Sequence, residues 1–87
     1  MEFNYVYITE NLINGKKYIG EHSTNKISDK YLGSGKRIKS AIKKNGRDNF
    51  KKTILKYFKT KEDAYFAQED FIKEFNTLHP LGYNICK

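Results

Sequence analysis

The chain predicts an α/β (α+β) fold, a three-stranded antiparallel sheet flanked by helices, and three observations carry that prediction. Asn14-Gly15 separates two β-type segments, Lys36 to Asn45 sets Ile38, Ala41 and Ile42 at helical spacing, and Thr60-Lys61-Glu62-Asp63 opens a longer helical stretch after a third β-rich run. A length of 87 residues allows one domain, 1–87, with one small core. At this size only about 60% of the unfolded chain's surface can be buried.

Asn-Gly is a strong hairpin signal because both residues accept the positive φ of a tight turn. Asn4 to Thr9 and Lys16 to Glu21 therefore read as paired strands. Two registers are open. A two-residue loop sets Tyr7 opposite His22, whereas a wider loop beginning near Glu10 sets Tyr7 opposite Tyr18. Side chains alternate faces with period two, and either register puts Tyr7, Tyr18 and His22 on the same face. His22 to Gly35 is polar, with glycine and serine at its end, and reads as a loop. Lys36 to Asn45 follows as a helix, with Gly46 placed as a left-handed C-cap. Thr53-Ile54-Leu55 favours a third strand within Phe50 to Phe58. Thr60 is an N-cap with acids in the first turn, and the helix it opens should run to about Asn76. Its apolar stripe is Ala64, Phe71, Ile72 and Phe75. Gln68 falls in the middle of that stripe and should point at the sheet, with Glu69 about 100° away around the helix. His79-Pro80 ends the pattern, and Gly82-Tyr83-Asn84-Ile85 reads as a turn into a short closing segment.

The 17 Lys and Arg against 10 Asp and Glu give a net charge of +7, which favours a polyanionic partner, nucleic acid first. No apolar run approaches the roughly 18 to 20 residues of a spanning helix, and the N-terminus lacks a signal-peptide core, so a soluble, intracellular protein is expected. The lone Cys86 has no intrachain disulfide partner, and two distant histidines offer no zinc spacing. Richness in Lys, Asn, Ile, Tyr and Phe hints at an AT-rich, viral genome. Five bases (Lys36, Arg37, Lys39, Lys43 and Lys44) occupy nine helical positions without an acid. A solvated surface and a phosphate-binding surface account for them about equally well.

Tyr7, Tyr18 and His22 on one face are three proton-exchanging groups, and that grouping suggests a site. Hydrolysis of a phosphodiester needs a base near the attacking water, positive charge on the phosphate oxygens and, usually, a metal at the leaving oxygen. His22 exchanges protons near neutral pH, which suits proton shuttling or phosphate contact. Tyrosine holds its proton to about pH 10, so a phenolate base would need a cation nearby. Half-buried strand tyrosines serving only as packing would look the same.

Tyr5-Val6-Tyr7 and Tyr18-Ile19-Gly20 resemble the paired motifs of the GIY-YIG nuclease family, in its phage and homing-endonuclease branch. Further matches run in order through Tyr31-Leu32-Gly33-Ser34-Gly35, Asn45-Gly46-Arg47-Asp48-Asn49-Phe50 and Gly82-Tyr83-Asn84-Ile85, covering nearly the whole chain. The resemblance implies a DNA endonuclease domain that uses Mg²⁺ or Mn²⁺ and leaves a 5′-phosphate and a 3′-hydroxyl. Tyr7 would sit beside the attacking water as general base, Tyr18 would hydrogen-bond the phosphate or water network, and Asn84 would orient the site or the phosphate. Lys17, Lys36, Lys39, Lys43 and Lys44 are the expected DNA contacts.

The chain departs from the family pattern at three places. Tyr5 stands where glycine is usual. Ser28 stands where homing-type members carry an arginine, leaving Arg37 or Lys30 to supply transition-state charge. Gln68, four residues before Ile72, stands where the family places its metal-binding glutamate. A neutral amide is a poor ligand for Mg²⁺, and most metal affinity and activity should be lost. Recruiting Glu69 instead would require rotating the helix by about 100°. Either the natural protein carries Gln68, or a glutamate was exchanged there to hold DNA uncut. The rival readings are a catalytically inactive nucleic-acid-binding module and, more remotely, a basic domain that packs on an acidic protein. Selectivity could come from a further DNA-binding domain, a dimer, or preference for branched or nicked DNA, since a specific module needs about 600–1,000 Å² of interface.

Overall fold

The computed structural model describes residues 2–85, and Cys86 lies outside them. Strands β1 (Phe3–Asn11) and β2 (Lys17–Thr24) form an antiparallel hairpin, followed by helix α1 (Lys36–Asn45), a single 3-10 turn (Arg47–Asn49), strand β3 (Phe50–Phe58) and helix α2 (Lys61–Phe75). The sheet order is β2-β1-β3, all antiparallel, so β1 is the central strand. This is the predicted architecture, with both strands of the hairpin longer than the sequence suggested.

The hairpin register is neither of the two expected. Tyr7 pairs with Gly20, and Tyr5 with His22. The turn explains the difference. Asn11 rather than Asn14-Gly15 closes the loop: its N–H bonds the Lys16 carbonyl, its carbonyl accepts from the Gly15 N–H, and its side chain accepts from the Ile13 N–H. Gly15, at φ +77°, takes the left-handed position that lets the chain return. The same-face parity of Tyr7, Tyr18 and His22 survives, because the register differs from each alternative by an even step.

The two sheet faces have different jobs. On one, α2 packs Ala64, Ala67, Phe71 and Ile72 against Val6, Ile8, Ile19, Leu55 and Phe58, which form the apolar core. The Thr60 hydroxyl accepts from the Asp63 N–H and Asn76 ends α2 in the left-handed conformation, as the sequence predicted. On the other face lie the tyrosines, covered by the loop that leads to α1. The Thr9 hydroxyl ties that loop down at the Leu32 carbonyl, and the buried Ile38 anchors α1. Gly46 has positive φ but an extended ψ of 142°, so it ends α1 without the left-handed cap, its N–H bonding the Ile42 carbonyl.

Strand β3 carries a β-bulge. Val6 pairs with Lys56 and Tyr7 with Ile54, which leaves Leu55 between them. The bulge reverses which β3 residues face the tyrosines: Leu55 turns into the α2 core, while Ile54 and Lys52 turn toward the tyrosine face. The closing segment returns along β2. Leu78 bridges to Asn84, and the Tyr83 N–H bonds the Lys17 carbonyl. Gly82 fits there because a Cβ would overlap the Thr77 and Lys17 carbonyls.

Candidate active site

Tyr7 is the centre of the cluster. It is 1% exposed, and its ring meets Tyr18 at 6.2 Å, Tyr31 at 5.9 Å and Tyr5 at 5.9 Å between centroids. Its hydroxyl lies over Gly20, where a Cβ would overlap that oxygen and sit 2.6 Å from Cζ. The glycine of the second motif is thus the floor on which the first motif's tyrosine rests. Burial, then the neighbouring Tyr18 and a hydrogen bond with Tyr31, push the Tyr7 phenol well above the ordinary tyrosine range. Tyr18 is raised as well, chiefly by burial, and Tyr5 is pushed up to about 12 by burial and then by the Asp29 charge. All three are therefore neutral phenols in the free protein.

His22 stands at the edge of the cluster and is held on two sides. Its ring stacks on Tyr31 at 3.8 Å with a 5° interplanar angle, and its Nε2 shares a 3.0 Å hydrogen bond with Asp29 Oδ2. The second Asp29 oxygen accepts from the Tyr31 N–H at 3.3 Å. Burial opposes the Asp29 charge, yet bonds from His22, Thr24 and Tyr31 outweigh it and hold the carboxyl below its usual range. The covering loop thereby delivers Asp29, the partner of His22 on β2, and a fourth tyrosine, Tyr31, to the face that β1 and β2 prepared.

The other predicted site residues fall elsewhere. Gln68 is half-buried and lines a cavity of about 390 Å³ together with Tyr18, Gly35, Ile72 and Tyr83. Glu69, exposed where Gln68 is half-buried, lines the same cavity from the neighbouring flank of α2. Asn84 is buried, with both ends of its amide committed to protein. Its oxygen accepts from the Ile19 N–H at 2.8 Å and the Thr77 hydroxyl at 2.7 Å, and its nitrogen donates to the Ile19 carbonyl at 2.8 Å. It splints the outer edge of β2 between the two motif residues Tyr18 and Gly20, acting on the strand.

Arg37 is exposed and lines a separate cavity of about 560 Å³ with Lys16, Lys36, Lys44 and His79. Lys39 and Lys43 are exposed on the same helix. Lys30 is exposed, and its carbonyl accepts from the Arg47 guanidinium. Lys17 faces away from Tyr18 and lies 3.9 Å from Glu10. The cation that does reach the tyrosines is Lys52, which sequence reading passed over as one lysine of a strand. Tyr5, Tyr31 and Asp29 were also missed as site residues. Tyr31 lay in a quoted motif, and Asp29 in the polar loop, but nothing in their spacing shows that the loop folds back onto β2.

Among the described residues no group of three or more His, Cys, Asp and Glu converges as a metal site. The cavity beside Tyr18 offers the neutral Gln68 amide and a single carboxylate on the exposed Glu69. A small hard cation prefers anionic oxygens, and this donor set does not fit a resident Mg²⁺ or Mn²⁺.

A three-stranded antiparallel sheet with motif tyrosines clustered on one face and a long helix packed on the other defines the class, a small α/β domain with a tyrosine-lined candidate site. The chain belongs to the GIY-YIG family: residues 3–84 match the model of the GIY-YIG catalytic domain. It is 61% identical over 70 residues to segE of Enterobacteria phage T4 and 37% identical over 84 residues to endonuclease segA of the same phage. Those matches take in 80% and 97% of this chain, but only 34% and 38% of the two relatives' own lengths. Its fold is that of the catalytic domain of homing endonuclease I-TevI, with a TM-score of 0.70 at 24% identity, covering 97% of this chain and 99% of that one. No helix among the described residues is long and apolar enough to cross a membrane.

Proposed function

We propose that this domain is a DNA endonuclease module whose cleavage depends on a divalent cation and is lost or reduced while Gln68 occupies the position of the metal-binding carboxylate. The observation that carries the reading is the tyrosine cluster, with Tyr7 seated on Gly20 and flanked by Tyr18 and the His22–Asp29 pair. Packing alone would explain buried rings. It does not explain a glycine cut away under one hydroxyl or a hydrogen-bonded histidine at the cluster's rim.

In this reading the water oxygen attacks phosphorus as the bond from phosphorus to the 3′ oxygen breaks. Tyr7 is a neutral phenol in the free protein, so its proton must first pass to solvent, a loss that positive charge beside the ring favours, and the phenolate then takes the proton of the attacking water. The departing 3′ oxygen collects a proton from His22 or solvent, leaving a 3′-hydroxyl and a 5′-phosphate. Tyr18 donates to the phosphate. Asn84 acts at one remove by holding Ile19, and with it the Tyr18–Gly20 strand, in place. The exposed lysines of α1 grip the duplex backbone.

A specific observation also favours the rival, a nucleic-acid-binding module that no longer cuts: the donor set beside Tyr18 lacks the anionic oxygen a metal needs, while the basic helix is intact. Relaxation of supercoiled plasmid in Mg²⁺ separates the two. The account expects Gln68→Glu to cut at least about tenfold faster than the chain with glutamine. If both bind DNA and neither cuts, the module is a binder.

A further inference from the structure

We propose that Lys52 is a catalytic residue of this site, contacting a non-bridging oxygen of the scissile phosphate, and that Tyr5 is the residue that positions it. The inference rests on the nuclease reading above. Its first support is topological. Without the bulge at Leu55, the alternation of β3 would send Lys52 toward the apolar core under α2; with it, Lys52 pairs with Thr9 on the tyrosine face. A bulge beside a site that re-aims one side chain is a recurring device.

The second support is where the ammonium ends up. Lys52 Nζ donates to the Tyr5 hydroxyl at 2.6 Å and lies over the rings of Tyr5, Tyr7 and Tyr31, at 4.8, 5.2 and 5.9 Å from their centroids. Three ring faces stabilise a partly desolvated cation without neutralising it. Among the described residues no carboxylate is in ion-pair contact with it, and Asp29 acts on it only from a distance. Burial lowers its proton affinity, as expected of a cation held ready for an anion that has not arrived. An ammonium has three donors, and Tyr5 takes one.

The third support is the residue at position 5. Tyr5 is fully buried, and its hydroxyl is the anchor that holds Lys52 above Tyr7. The exposed Arg37 and Lys30 have no such placement. When phosphate enters, Lys52 keeps its protons, neutralises charge that builds on the equatorial oxygens, and favours the Tyr7 phenolate.

The test uses Gln68→Glu as parent and measures single-turnover cleavage, DNA affinity and the reductive methylation of each lysine with and without a duplex oligonucleotide. Lys52→Met is expected to cut about 100-fold more slowly with affinity within about threefold of the parent, in line with loss of one transition-state donor. Lys52→Arg should recover part of the rate. Tyr5→Phe should lose about tenfold in single-turnover rate with DNA affinity unchanged, and bound duplex should protect Lys52 from methylation. Parental cleavage by Lys52→Met, or unchanged methylation under DNA, overturns the proposal. Should the parent itself not cut, the nuclease reading falls, while protection of Lys52 still upholds the phosphate contact and its absence still overturns it.

Discussion

Tyr7 and Gly20 are a matched pair, and the match is steric before it is chemical. Any side chain at position 20 must displace the Tyr7 hydroxyl or the Tyr18 ring, which a Cβ there would approach to 2.9 Å. Gly20→Ala is therefore expected to lower single-turnover cleavage in the Gln68→Glu background by about 100-fold, the scale of a misplacement of roughly 1 Å. Its unfolding midpoint should move far less than its rate, and the ratio of the two effects, read by urea titration and quenched-flow cleavage, checks this. The site was half legible at this scale. Tyr7, Tyr18 and His22 share a face by strand parity, which any odd or even count reveals. Lys52 and Tyr31 were illegible because a bulge and a folded-back loop place them, and neither leaves a local pattern in sequence. Asn84 was legible as a motif residue but not in its role, since a buried amide is satisfied wherever backbone groups wait for it.

At the scale of elements, β2 is an edge strand whose outer side is closed by the Thr77–Asn84 return. Asn84→Ala leaves the Ile19 N–H and carbonyl buried without partners. The expected loss is about 2–4 kcal/mol of stability in chemical unfolding, larger than a surface change produces. Helix α1 is the other element with a distinct prediction. Replacing Lys36, Lys39, Lys43 and Lys44 by glutamine should reduce the slope of log affinity against log salt by about 2–4, near 0.9 per phosphate contact removed. An unchanged slope would make α1 a solvated face. Helix α2 was readable because cap and apolar stripe agree, α1 from its apolar spacing although Gly46 does not form the expected left-handed cap, and β3 from the strand propensity of Thr53-Ile54-Leu55. The hairpin register was not, because the Asn14-Gly15 signal competes with Asn11, whose side chain closes a longer turn.

Across the whole molecule, one tyrosine face and one apolar face share a single central strand, so ionising the first loosens the second. Tyr5 ionises near 10 in the unfolded chain and at about 12 when folded, and Tyr7 and Tyr18 are raised too. Groups raised in this way contribute stability that is present below pH 10 and lost as pH climbs through the folded value. The urea midpoint should hold from pH 8 to about pH 10 and then fall steeply toward pH 12, with phenolate absorbance appearing together with unfolding. Phenolate titration near pH 10 by the intact fold, at Tyr5 and Tyr7, would show that burial does not hold these rings neutral.

The central claim is that Tyr7 handles the proton of the attacking water, and single-turnover cleavage by Gln68→Glu with and without Tyr7→Phe tests it most directly. The account predicts a fall of about 10²–10⁴-fold on loss of the hydroxyl, with DNA affinity preserved. Cleavage by the Tyr7→Phe variant within about threefold of its parent would contradict it.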